Sequence, residues 1–78
     1  MSNFDPPDRA DILKAARECG LTEDNLVFSV DEEGVDNADV YAMGQPTDEF
    51  RRSVRLLALW AAATGAAIGI HFTAREAP

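Results

Sequence analysis

From Leu56 to Ile70 the chain runs for fifteen residues without a charged side chain, and this stretch constrains everything around it. A bilayer-spanning helix needs about 20 apolar residues, whereas a run of roughly 10–14 is more typical of a buried core helix. Fifteen lies between, and extension to Ala74 reaches nineteen only by taking in His71. Arg51, Arg52 and Arg55 would flank the cytoplasmic end of such a span. Gly65–Gly69 has the small residues that pack membrane helices. The periodicity, however, changes inside the run. Phe50, Val54, Leu57, Ala58 and Ala61 recur at helical spacing, and Leu56, Leu59, Trp60 and Ala63 widen the apolar arc. Beyond Gly65, the residues Ile68, Ile70 and Phe72 alternate with Gly69, His71 and Thr73, the period of a half-buried strand. The run therefore reads as a helix over Asp48–Thr64, capped by Thr47 or Asp48 and stopped by Gly65, followed by a strand over Ile68–Thr73. The helix is expected to be the most buried element. A membrane span over Leu56–Ala74 is the alternative.

The other elements follow from punctuation and period. Asp5 as N-cap and Pro6 at the first helical position predict a helix over Pro6–Cys19, with Asp8 in its first turn. Ile12, Leu13, Ala16 and Cys19 form its apolar stripe. Gly20 supplies the left-handed position after it, and Leu21 folds back as the accompanying apolar contact. Leu26–Asp31 reads as a strand with Leu26, Phe28 and Val30 on one face. After a turn around Gly34, Ala38–Met43 reads as its hairpin partner, with Ala38, Val40 and Ala42 facing the helices. Asp39, Tyr41 and Met43 then lie on the open sheet face.

Seventy-eight residues leave room for one domain, taken as 1–78 with 74–78 a frayed tail. The fold class is α+β, with the order α-β-β-α-β. The expected architecture is a three-stranded antiparallel sheet in the order 2-1-3, with two helices on one face. Leu26–Asp31 would be central. In the rival arrangement the third strand runs parallel to the second through a crossover.

Charge is the second strong feature. Fourteen acids face seven bases, a net charge of −7. Between Glu18 and Phe50 there are ten acids and no base. Such a field attracts a basic partner. It excludes sequence-independent nucleic-acid binding, which needs Lys and Arg for the phosphates. It also excludes simple adsorption to anionic membranes. The candidate partner-binding residues are Glu23, Asp24, Asp31, Glu32, Glu33, Asp36, Asp39, Tyr41, Asp48 and Glu49. The bland counterpart is a solvated acidic face that only maintains solubility.

Chemistry is sparse. One His and one Cys cannot assemble a thiolate–imidazole zinc site within one chain. Cys19 reads as a small core residue rather than a thiol paired with His71. His71 reads as an outward-facing strand residue. Gly34 follows Asp31 by three positions, which does not fit an EF-hand loop. No phosphate-binding glycine loop, nucleophile elbow or H-E-x-x-H motif is present. The expectation is a non-enzyme with no cofactor and no metal. Trp60 is expected in the core. Met1–Asn3 has no secretory pattern, so the expected compartment is the cytoplasm.

The acidic segment Glu18–Glu49, together with Ser53-Val54-Arg55-Leu56-Leu57-Ala58-Leu59-Trp60 followed by Ile68–Thr73, resembles a known class. Size, acidity and the hairpin–helix–strand plan are similar to the small phage-encoded proteins that disable host machinery, the anti-CRISPR proteins among them. The likeness spans the whole chain at class level, without a diagnostic motif, and assigns no residue a role. It implies a non-enzymatic inhibitor that occludes the basic nucleic-acid path of a host complex. The second expectation is an assembly module, in which the apolar helix and an open sheet edge form a homodimer or a contact in a larger complex, the acids being solubilising only.

Overall fold

The computed structural model describes residues 7–74. The first helix, α1, spans Arg9–Glu18, and Asp8 is its N-cap. Asp8 Oδ1 accepts the Asp11 backbone N–H at 2.9 Å, and Asp11 Oδ2 accepts that of Asp8 at 3.4 Å. This reciprocal box satisfies two otherwise orphaned donors, so the helix starts at Arg9 and not at Pro6. Asp5, expected as the cap, lies outside the described residues. At the other end Gly20 adopts φ 99°. Its N–H reaches Arg17 O, and the N–H of buried Leu21 reaches Ala16 O at 2.9 Å. This is the expected left-handed stop with its apolar contact.

A short 3-10 turn, Glu23–Asn25, leads into β1 (Leu26–Val30), which pairs antiparallel with β2 (Asp36–Ala42). Helix α2 occupies Asp48–Thr64, as the spacing predicts. Thr47 Oγ1 accepts the Phe50 N–H at 3.0 Å, and Gly65 ends the helix in the left-handed region. Strand β3 (Ala67–Ala74) completes the sheet. Ala74, expected in the tail, pairs with Ala42, and residues 75–78 lie outside the described ones.

The class is α+β with a mixed three-stranded sheet in the order β1-β2-β3. The expected order 2-1-3 and purely antiparallel pairing are corrected. β3 runs parallel to β2, from Asn37↔Ala67 to Tyr41↔His71, and β2 is the central strand. The physical reason lies in residue size and burial. Ala38, Val40 and Ala42 are all but inaccessible, at 0–1% exposed. α1 packs over this central strand, and α2 packs over β3 beside it. β1, the more apolar strand, takes an edge and leaves Val30 exposed.

Both helices pack on one face of the sheet. Ala15, Ala16, Leu21, Leu26, Val40, Val54 and Leu57 form the core. Leu13, Cys19, Phe28, Phe50, Trp60, Ile68 and Ile70 pack around it half-buried. Each large aliphatic side chain wholly buried here contributes about 1.5–3 kcal/mol. α2 is not the most buried element. Only Ser53, Val54 and Leu57 of it are buried, while Leu56 and Leu59 are exposed at 49% and 64%. A helix lying over one side of a three-stranded sheet can cover only part of its apolar arc. Among the described residues no helix is long and apolar enough to cross a membrane.

Candidate functional site

The antiparallel hairpin decides where the acids go. β1 begins, and β2 ends, at the same end of the sheet, and the loop that joins them lies at the other. Five paired positions at a rise of about 3.3 Å each put roughly 15 Å between the two ends. Asp31, Glu32, Glu33 and Asp36 stand at the loop end. Glu23, Asp24, Asp48 and Glu49 stand at the opposite end. Asp39 and Tyr41 lie between, on the sheet face away from the helices. The ten candidate residues thus form not one surface but two poles and a patch.

The loop pole is held together by its own carboxylates. Asp31 Oδ1 accepts the backbone N–H groups of Glu33 and Val35, each at 2.9 Å. Asp36 Oδ2 accepts the Arg9 N–H at 2.9 Å, bridging 27 residues of sequence. That bond draws the first turn of α1 onto the hairpin and adds Asp8 and Asp11 to the pole. Sequence reading missed these two. Their i, i+3 spacing as a capping box was the signal that would have found the helix start. Arg9 is a base within this pole, and its guanidinium lies 4.6 Å from the Phe28 ring centroid. Glu32 and Glu33 are exposed at the tip.

The opposite pole is partly neutralised. Glu23 lies 3.7 Å from Arg17 in an exposed pair. Asp48 and Glu49 occupy the first turn of α2, where the helix dipole favours them. Arg51 and Arg52 follow directly. Met43, expected on the open face, lies past the end of β2. It borders a depression shared with Cys19, Leu21, Phe50 and Leu56. Burial raises the Cys19 thiol pKa, and the charge of Glu18 adds to the shift. Cys19 packs against the core on the helix side, whereas His71 is on the open face, so the two are not brought together.

On the open face His71 Nε2 lies 3.1 Å from Asp39 Oδ1, and its ring stacks on Tyr41 at 4.4 Å. Both members of the pair are about two-fifths exposed. The partner acid of His71, unspecified by sequence, is thus Asp39. Among the described residues no three His, Cys, Asp or Glu side chains converge as metal ligands would. Comparison with family models, with curated proteins and with solved structures finds no match to this chain.

One polar residue was overlooked by sequence reading. Asn25 is buried, its Oδ1 accepting from the Thr22 N–H and hydroxyl, and its Nδ2 donating to Tyr41 O at 2.9 Å. It ties the 3-10 turn to the central strand, and so fixes the opposite acidic pole to the sheet.

Proposed function

We propose that this chain is a non-enzymatic binding protein that occupies a basic surface of a nucleic-acid-handling complex, in the manner of an anti-CRISPR-type inhibitor. The contact is the loop pole: Asp31, Glu32, Glu33 and Asp36, joined by Asp8 and Asp11. The observation that carries the reading is the Asp36–Arg9 bond, which gathers carboxylates from two distant segments at one end of the sheet. Competition is the mechanism. The carboxylates satisfy Arg and Lys side chains that would otherwise hold a nucleic-acid backbone. Steering by the negative pole speeds the encounter and makes it salt-sensitive. The cytoplasm is the compartment in which such a target is met. No cofactor and no direct nucleic-acid contact belong to this reading.

The test compares the parent with a variant carrying Asp31→Asn, Glu32→Gln, Glu33→Gln and Asp36→Asn. Amide oxygens keep the turn acceptors while removing the charge. Each is used as bait in host-like lysate at low and high salt, and captured proteins are assayed for nucleic-acid binding with and without the bait. The expected result is a basic protein captured at low salt, lost with the variant, and blocked from its nucleic acid by the parent. Equal capture by parent and variant, or capture without blocking, overturns the reading.

A further inference from the structure

Among the described residues β3 is an edge strand with no neighbour on its outer side, and α2 lies beside it. Between them runs an apolar groove floored by Val54, Ala58, Ile70 and Phe72, with Arg51 and Arg55 on its rim. Phe72 is 52% exposed there. An unpaired edge next to exposed aromatic surface is a template for another strand. Two features of α2 say what that strand belongs to. Its groove side is graded in size, with Arg51 and Arg55 in the first half and Ala58 and Ala62 in the second. It is also graded in charge. The arginines stand in the half nearer the positive end of the dipole, and the last turn carries no base to meet its carbonyls. Each half lacks what the other half has.

We propose that the groove is closed by a second copy of this chain. The two copies are related by a two-fold axis, with the regular Ala67–His71 stretch of β3, ahead of the irregularity at Phe72 and Thr73, set edge to edge; this continues the sheet and sets the two α2 helices antiparallel. Arg55 of one copy then lies over Ala62 of the other, and Arg51 reaches the other's C-terminal carbonyls. Large meets small and positive meets negative, twice, as a two-fold contact requires. Phe72 becomes buried at the new seam. The acidic loop pole belongs to the hairpin and α1, not to this edge, so the dimer leaves it free for a different partner.

The test is sedimentation of the full chain over a wide concentration series. A particle of twice the 8.5 kDa chain mass is expected. Arg55→Glu should weaken the dimer by about ten-fold or more, by opposing the other helix's negative end. Adding Ala62→Lys to that variant should restore it, because the new Glu and Lys meet across the axis. Arg52→Glu makes the same charge change on the side of α2 that faces α1's end and should leave the dimer intact. Circular dichroism of each exposed-site variant checks that the monomer fold is kept. A chain that stays monomeric throughout overturns the proposal. So does a dimer that Arg55→Glu leaves unchanged, or one that Arg52→Glu weakens equally.

Discussion

His71 and Asp39 meet across the parallel β2–β3 pair, with Nε2 and Oδ1 3.1 Å apart and Gly69 beneath them. A methyl group at Gly69 would lie 2.7 Å from that same Asp39 oxygen. The glycine therefore keeps open the space in which the pair forms.

Gly69→Ala should displace the Asp39 carboxylate and lose the contact, lowering stability by up to about 1 kcal/mol, since the pair is partly exposed and solvent-screened. The sign should reverse in an Asp39→Ala background. There the obstruction is gone, and replacing a strand glycine gains roughly 0.5–1 kcal/mol. Urea unfolding of the four proteins closes the cycle. Equal effects of Gly69→Ala in both backgrounds would contradict the coupling.

Leu57 and Leu59 belong to the same apolar arc in the sequence but not to the same environment. Leu57 is wholly buried and Leu59 is 64% exposed. Leu57→Ala should cost about 2–5 kcal/mol. Leu59→Ala should stay within about 0.5 kcal/mol. Thermal or urea midpoints of the two variants measured side by side decide it.

Asn25→Ala should destabilise by about 1–3 kcal/mol, because the Tyr41 carbonyl and the Thr22 donors lose a buried partner together. Hydrogen exchange at the 3-10 turn and the end of β2 should quicken more than at the hairpin loop. Uniform quickening would mean that Asn25 supports the whole fold rather than this junction.

The Cys19 thiol, raised by burial and then by Glu18, should react with iodoacetamide more slowly in the folded chain than in urea. The folded state holds this proton more tightly. Its contribution to stability is therefore full below the ordinary thiol pKa and is lost as pH rises through the folded value. Glu18→Gln should bring part of the reactivity back. Mass spectrometry of the alkylated fraction over time reads both effects.

At Asp31 the carboxylate oxygen has a structural role that can be separated from the charge. Asp31→Ala removes the acceptor for two backbone N–H groups and should cost about 1 kcal/mol. Asp31→Asn should cost less, because an amide oxygen can take over. Equal losses for the two variants in urea unfolding would show that the charge, not the acceptor, holds the turn.

Much of the local structure is legible in the residues. Gly20 with Leu21, Thr47 with Phe50, and Gly65 mark helix ends through bonds made within a few positions. The period shift at Gly65 separates α2 from β3 for the same reason: side-chain direction depends only on the local backbone. Burial was less legible. Leu56, Leu59 and Phe72 have the hydropathy of core residues, but a sheet of three strands and two helices has no further layer to cover them. The acidic segment was legible as a charge. Its division was not, because Asp36 meets Arg9 only after the hairpin and α1 have docked.

The sequence by itself determined the element types, the helix stops, the face of β2 that meets the helices, and a middle segment with ten acids and no base. These are properties of neighbours along the chain. Only the tertiary structure decided that β2, not β1, is central, that β3 returns parallel beside it, and that Asp39 meets His71 across 32 residues. Either strand order satisfies the same alternation of apolar and polar residues. The choice rests on how the segments dock, α1 over β2 and α2 over β3, a matter of packing between segments that no local pattern contains.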